Sequence, residues 1–575
     1  MQMNQFETRY KKLNKAQKQA VDTIEGPLLV VAGPGSGKTE ILSLRVAKIL
    51  KETQSLPSNI LCLTFTDSAS VNMRERLAKL IGSEAYRVSI HTFHSFSVDI
   101  IQKYPEFFYK GAIFSPADAV SQIGILENIF DALPHNDLLK SSHPEEGYTY
   151  LQDVSKVIGY LKKAGITPSR FSEIIEKNSE AVKRINEVLV PIAEKRVSAA
   201  VITELKSAAE SLRASAGGTT GTGQYIGEFP ALEHAVALTL LEAIDTAEKL
   251  EKNEPISKWK AKWFKANDEG VKVFRDTLNM DKMRSVAGIY KQYRETMHTR
   301  CLFDFDDMIL DVIEAIQTHP RLKYDLQEQY QYVLVDEFQD TNNAQMKILS
   351  LILDAPVNEG RPNIMVVGDD DQAVYKFQGA ELSNILNFKD SYKDVGVVNM
   401  TANYRSTQEI LDTATKIIRK GESRLENILP AFEKTLISSN TELAKGGIVH
   451  KVFDTSLHEY HYVSRRIKSL IDSGVPAEDI AIIARKHKQL EAIVPYLQGA
   501  RVPIRYEREQ NVFLEPHIEQ IIIMSRFIQS ISAKDMVEAD EFLPKILAFP
   551  FFGISRIAIW KISKQAYAER KSWLE

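Results

Sequence analysis

The sequence predicts an α/β protein built on parallel sheets and interrupted by a long helical insertion. Two observations carry that prediction. Short apolar runs at Leu28–Ala32, Ile60–Leu63 and Val88–His91 alternate with amphipathic stretches through the first hundred residues, and similar runs return at Tyr332–Val335, Ile364–Val367 and Val397–Met400. Apolar strands separated by helix-length segments belong to parallel sheets covered on both faces. Between the two groups, from about Pro105 to His298, the pattern changes to long helical periodicity with few β-branched runs.

The remaining segments follow in order. Residues 1–105 and 299–394 are expected to form one α/β lobe, and 106–298 the helical insertion, with flexible-linker chemistry at Ala216–Gly223. A second α/β segment over 395–525 is expected to carry strands at Ile448–Phe453, Ile480–Ala484 and Val502–Tyr506, and residues 526–575 read as helical. With 575 residues and 44% apolar side chains, the chain holds core material for roughly three to five domains.

Charge and cysteine usage narrow the class. No apolar run reaches the roughly 18 residues of a membrane span. The start, Met1-Gln-Met-Asn-Gln-Phe-Glu7, lacks a charged region ahead of an apolar stretch, so no secretory signal is expected. Cys62 and Cys301 sit in apolar surroundings without metal-ligand spacing, which fits a soluble protein in a reduced, cytoplasmic setting. A net charge of −4 argues against a broadly basic surface, so nucleic-acid binding would rest on a local groove and on base stacking.

The run Leu28–Val31 leads into Ala32, Gly33, Pro34, Gly35, Ser36, Gly37, Lys38 and Thr39, followed by the helical stretch Ile41–Leu50. Strand, glycine loop and helix in that order form a P-loop, whose backbone N–H groups and helix N-terminus converge on phosphate oxygens. Lys38 would reach the β- and γ-phosphates of ATP, and the Thr39 hydroxyl would ligate Mg²⁺. Ala32 stands where the strict motif has glycine. The complementary acidic pair ends another apolar run, Tyr332-Val-Leu-Val-Asp-Glu-Phe-Gln-Asp340. Asp336 would hold Mg²⁺, and Glu337 would orient or deprotonate the attacking water. The separation of Lys38 from Asp336 far exceeds one nucleotide-binding fold, so a domain must be inserted between them.

Further motifs appear in a fixed order: Leu13-Asn-Lys-Ala-Gln17, Leu63-Thr-Phe-Thr66, Ile90-His-Thr-Phe-His-Ser-Phe96, Asp336-Glu-Phe-Gln-Asp340, Val367-Gly-Asp-Asp-Asp-Gln-Ala-Val-Tyr-Lys-Phe-Gln-Gly-Ala380 and Asn403-Tyr-Arg-Ser-Thr407. With the P-loop they resemble the UvrD/Rep/PcrA group of superfamily 1 DNA helicases. The resemblance implies two RecA-like lobes, 1A and 2A, with a helical insertion 1B and, at 526–575, the start of a helical subdomain 2B. It implies an ATP-dependent 3′→5′ translocase that acts on single-stranded DNA and at single-strand/duplex junctions in repair or recombination. Gln17 would then read the adenine edge, Tyr404 stack on adenine, Gln372 sense the γ-phosphate, and Arg405 act as an arginine finger. Phe65, His94, Tyr375 and Phe377 would contact DNA. The sequence departs from the family pattern at Glu40, where a basic residue is usual, at Phe377 for tryptophan and at Gln378 for arginine.

Two other features invite a site. His91 and His94 have metal-like spacing but no companion ligand, and read as DNA-contact or structural residues. Lys258-Trp-Lys-Ala-Lys-Trp-Phe-Lys265 interleaves lysines with aromatics; helical spacing favours an amphipathic helix burying Trp259, Trp263 and Phe264 over a nucleic-acid contact. The resemblance also implies two late motifs that the sequence does not contain. Leu547–Arg556 looks like early 2B, so the chain is expected to stop before those motifs. Two alternatives stand beside the helicase: the motor part of a RecB/AddA-like helicase–nuclease, and an ATP-gated DNA-binding regulator without unwinding.

Overall fold

The computed structural model describes residues 2–108, 114–143, 147–215, 232–266, 272–275, 277–373, 383–420, 434–440, 447–506 and 515–574. The chain divides into two compact units, 1–448 and 449–575.

The first unit is organised by a six-stranded, wholly parallel sheet. Its strands are β1 (Leu28–Ala32), β2 (Ile60–Thr64), β3 (Ser89–Thr92), β4 (Tyr332–Val335), β5 (Ile364–Gly368) and β6 (Gly396–Met400), in the spatial order β6-β1-β5-β4-β2-β3. The expected α/β class is borne out, and all six apolar runs are strands. The sheet extends past residue 394, because β6 pairs with β1, Val30 facing Val398.

Successive side chains of a strand point to opposite faces, and here both faces are dry. Leu29, Val31, Leu61, Leu63, Val333 and Val335 enter one core, and Leu28, Val30, Ile60, Cys62, Leu334 and Val367 the other. Helices α1 (Gln2–Lys11), α2 (Lys15–Asp22), α3 (Lys38–Glu52) and α4 (Asp67–Ile81) belong to the second face; α5 (Phe93–Lys103) belongs to the first. Each fully buried Leu, Ile or Val contributes about 1.5–3 kcal/mol, so packing on both faces stabilises the sheet that carries the site.

The insertion comprises α6 (Ala119–Ala132), α7 (Leu151–Lys163), α8 (Pro168–Ala193), α9 (Ala199–Ser215), α10 (Leu232–Leu250), α11 (Glu254–Trp263) and α12 (Thr277–Thr299). It holds two cores. One gathers Ile129, Phe130, Ile158, Phe171 and Tyr290, the other Ile185, Leu189, Leu205, Leu240 and Trp259; the 26-residue α8 runs through both. The Trp259 indole is buried and donates to Thr239 Oγ1 at 3.0 Å, while Phe264 packs on Phe274. The basic segment is therefore core and cap. Lys260 Nζ donates to Lys195 O at 3.0 Å and Lys272 Nζ to Ala193 O at 3.0 Å, each satisfying carbonyls at the end of α8.

The chain returns to the sheet through α13 (Phe305–Thr318), α14 (Pro320–Gln329) and α15 (Asn343–Leu353), then α16 (Ser383–Ser391) and, after β6, α17 (Gln408–Ile418). Where the insertion meets α13, Lys162 is 1% exposed with Nζ 2.5 Å from Asp304 Oδ2 and 2.7 Å from Asp307 Oδ1. Beside it Arg294 grips Asp311 at 2.6 Å and Glu314 at 2.8 Å.

The second unit contains α18 (Ser456–Asp472), α19 (His487–Gly499), α20 (Pro516–Ser532), α21 (Met536–Leu547) and α22 (Arg556–Glu569). Ile467, Ile493 and Leu497 form its small core, with Ile480, Ile482 and Val502 against it. The strands expected at 448–453, 480–484 and 502–506 are not formed: these runs have no ladder partner among the described residues. Ile480 and Ile482 are partly buried and Ala481 and Ile483 exposed, so the alternation that suggested strands is real. Alternation reports burial of one face, whereas a strand also needs a neighbouring backbone.

Candidate nucleotide-binding and hydrolysis site

Four neighbouring strands, β6, β1, β5 and β4, deliver the candidate residues. The P-loop follows β1, Asp336 and Glu337 follow β4, Asp369 to Gln372 follow β5, and Asn403 to Arg405 follow β6. Carboxyl ends of parallel strands form the standard crevice of open α/β sheets, so the sheet order alone brings these distant segments together.

The P-loop carbonyls are committed to protein partners, which fixes the loop's orientation. Gly33 O accepts from Ser36 Oγ at 2.7 Å, Pro34 O from Asn403 Nδ2, Gly35 O from Tyr404 N at 2.9 Å and Ser36 O from Gln17 Nε2 at 2.9 Å. Gly35 has φ +67, and a Cβ there would lie 2.6 Å from Arg405 Cβ, so the close approach of the two segments requires glycine. Gln17 also closes the capping box of α2 with Asn14, and Arg45 of α3, 1% exposed, holds the α2 carbonyls of Ala20 and Thr23 in place. Both ends of the Gln17 amide are thus used within the protein. Asn403 is fully buried, and its Oδ1 accepts from Arg405 N and Ser406 N, each at 2.8 Å. Tyr404 is 40% exposed, and Asn14 Nδ2 donates to its hydroxyl at 3.0 Å.

The acidic side is one connected network. Lys38 Nζ lies 2.6 Å from Glu337 Oε2, and Gln339 Nε2 donates to the same oxygen at 2.8 Å. Gln339 Oε1 accepts from Asp369 N at 2.9 Å, and Asp369 Oδ2 accepts from Gln372 Nε2 at 2.7 Å. Glu337 has φ +48, a left-handed conformation that costs a non-glycine residue on the order of 1–2 kcal/mol and is held here by these contacts. Asp336 is 7% exposed; burial, and then the charge of Glu337, push its carboxyl pKa up to about 6, with Lys38 opposing. Thr39, Asp336, Glu337, Gln339, Asp340 and Gln372 line one cavity of about 370 Å³.

A buried carboxylate whose ionised form is under-compensated, beside a hydroxyl at the head of a helix, fits a divalent cation with hard oxygen ligands. Thr39 and Asp336 are the residues that would hold it.

Seven predicted positions or segments therefore meet: Gln17, Ala32–Thr39, Asp336, Glu337, Gln372, Tyr404 and Arg405. Phe65 is half-buried and lines the same cavity. His94, on α5, stands edge-on to Phe305 with ring centroids 6.1 Å apart and Nε2 4.0 Å from Asp306. No cluster of potential metal ligands forms around His91 or His94 among the described residues. Tyr375, Phe377 and Gln378 lie outside the described residues. Glu40 is met by Arg9 at 3.4 Å and Arg76 at 3.9 Å, so cationic groups stand beside the departure. Sequence reasoning missed the joints: Asn403, Gln339 and Lys434, whose amine lies 3.0 Å from Asp369 Oδ1. Asn403 and Gln339 at least fall inside motifs; Phe432-Glu-Lys-Thr435 carries no signal at all.

The family model of the UvrD/REP helicase N-terminal domain matches residues 13–393, and that of the UvrD-like helicase C-terminal domain matches 398–569. The chain belongs to the UvrD/REP helicase family. It is similar to the ATP-dependent DNA helicase PcrA of Staphylococcus epidermidis, 27% identical over 562 residues that make up 97% of this chain and 58% of the relative. PcrA of Staphylococcus aureus is 26% identical over 556 residues, 96% of this chain and 58% of the relative. The chain thus spans little more than half the length of these curated relatives. The expected resemblance is borne out: the N-terminal family model covers the P-loop side, and the C-terminal model covers the segment that carries Asn403 to Arg405. Among the described residues no helix is long and apolar enough to cross a membrane.

Proposed function

We propose that this chain is the ATP-hydrolysing motor of a 3′→5′ DNA helicase, which tracks along single-stranded DNA and opens the duplex at a junction during repair or recombination. The observation that carries the reading is the unbroken network from Lys38 through Glu337, Gln339 and Asp369 to Gln372, with Asn403 to Arg405 seated on the P-loop. A nucleotide-binding loop, a candidate base and a candidate phosphate sensor are joined by hydrogen bonds, as a hydrolysis-driven machine requires. The PcrA relatives, named as ATP-dependent DNA helicases, support the DNA substrate. Two unpaired cysteines support a cytoplasmic setting.

The roles come from the family motifs, and the contacts of Lys38, Glu337 and Gln372 support theirs. Lys38 leaves Glu337 to bind the β- and γ-phosphates, and that exchange frees the Glu337 carboxylate to take a proton from the attacking water. Binding and activation of the base are therefore one event. Thr39 and Asp336 would hold Mg²⁺, which would supply charge neutralisation at the phosphates. Gln372 senses the γ-phosphate, and Arg405 places positive charge on the transition state. Gln17 and Tyr404 take the adenine, Gln17 by exchanging the Ser36 carbonyl for the base edge. Phe65, His94, Tyr375 and Phe377 take the DNA by stacking and edge contacts, at roughly 1–3 kcal/mol per stacked base.

The test is ATP-dependent displacement of a labelled strand from duplexes carrying either a 3′ or a 5′ single-stranded tail. Displacement confined to the 3′-tailed duplex is expected. Displacement from the 5′-tailed duplex alone would reverse the polarity. DNA-stimulated hydrolysis without displacement of either strand would leave an ATP-gated regulator.

A further inference from the structure

The short segment 434–440 reaches the site from beyond α17. Its backbone pairs with Ala402–Asn403, and Gln408 Nε2 donates to Leu436 O at 3.1 Å. Leu436 packs so closely on the P-loop that a Cβ at Gly33 would lie 2.6 Å from Leu436 Cδ2. The segment is thus strapped between α17 and the nucleotide loop.

Its first described residue, Lys434, is 9% exposed and points into the acidic turn after β5. Its amine lies 3.0 Å from Asp369 Oδ1 and 3.6 Å from Asp371 Oδ2, and it also contacts Asp370 Oδ1. Asp369 is 3% exposed and shares its carboxylate among three partners: Oδ1 meets Lys434 and accepts from Asp371 N at 3.2 Å, and Oδ2 accepts from the Gln372 amide at 2.7 Å. A carboxylate this deeply buried is oriented by whatever cation and donors it has. Gln372, in turn, has its side-chain amide set by Asp369.

We propose that Lys434 is a positioning residue for ATP hydrolysis: the seated 434–440 strap places its amine on Asp369, and Asp369 thereby aims Gln372 at the γ-phosphate. The inference rests on the hydrolytic reading above and adds a control point to it. Because the strap also touches Gly33, its seating links the state of the P-loop to the orientation of the sensor.

The experiment is a double-mutant cycle on DNA-stimulated hydrolysis with wild type, Lys434→Met, Gln372→Ala and the double variant, each checked for wild-type-like thermal melting. Small misplacements of a catalytic group cost up to about 100-fold, so Lys434→Met should lower kcat at least ~10-fold while KM for ATP changes less than ~3-fold. In the Gln372→Ala background the same substitution should change kcat less than ~2-fold, because residues acting as a unit are not additive. Lys434→Arg, which keeps the cation, should recover most of kcat. Should Lys434→Met fail to fold, Asp369→Asn removes the linking carboxylate in nearly the same shape and carries the same cycle. An unchanged kcat, a loss confined to KM, or fully additive losses would overturn the inference with wild-type activity intact. A wild type with no DNA-stimulated hydrolysis would instead overturn the functional reading, and this inference with it.

Discussion

Asp336 and Glu337 are neighbours in sequence with opposite problems. Asp336 is buried and its carboxyl is raised to about 6, so its ionised form is disfavoured at the position proposed to hold a cation. A carboxyl raised above its unfolded value contributes stability that is complete below about pH 4 and lost as pH rises through about 6. At pH 8 the nucleotide-free protein therefore carries a penalty of about 1–3 kcal/mol at this residue, from a shift of about two pH units. Asp336→Asn should raise Tm at pH 8, raise it much less at pH 4.5, and abolish Mg²⁺-dependent hydrolysis; equal Tm shifts at both pH values would contradict the assignment. Glu337 instead holds Lys38. Glu337→Gln weakens that grip, so it should bind ATP at least as tightly as wild type in a fluorescent-nucleotide titration. Hydrolysis should fall at least ~100-fold, the scale of a lost general base. Weaker ATP binding by this variant would show that the ion pair does not compete with nucleotide.

Among the elements, the turn after β6 has the most to lose from a single atom. Asn403 makes three hydrogen bonds with its side chain, one to the P-loop and two that shape the backbone of Arg405 and Ser406. Asn403→Ala removes all three and leaves buried partners unsatisfied, at about 1–3 kcal/mol. The expected result is a lower kcat with Lys38 and Glu337 intact, because Arg405 loses its setting on Gly35. Hydrolysis measured beside Arg405→Ala should show losses of similar size that do not add. The helical insertion teaches a different lesson. The helical spacing of Lys258–Lys265 favours a core helix over a DNA contact, and in the structure Trp259 and Phe264 are buried while Lys260 serves a carbonyl at the end of α8.

At the scale of the molecule, the first unit depends on buried charge where the insertion joins the sheet. Lys162 neutralises Asp304 and Asp307, and burial raises the Asp307 carboxyl above its ordinary range. Lys162→Met leaves the buried Asp307 and the half-buried Asp304 without their cation, at about 3–5 kcal/mol. The loss of Tm should be largest at pH 8 and shrink on acidification, since protonation removes the uncompensated charge. A pH-independent loss would mean that packing of the aliphatic stem, and not charge, holds the joint.

By itself the sequence determined what runs of side chains can determine: six apolar strands, a P-loop between strand and helix, an acidic strand end, and a long insertion between them. All of these are local patterns whose period or spacing directly reflects burial or phosphate geometry. The tertiary structure decided everything that depends on which backbones lie side by side. It placed β6 in the first sheet, left 448–453, 480–484 and 502–506 without a ladder partner among the described residues, turned Gln17 onto Ser36, and brought Lys434 to Asp369 from 65 residues away. Such pairings carry no periodic signature, because a hydrogen bond between distant segments constrains two residues and leaves no pattern around either.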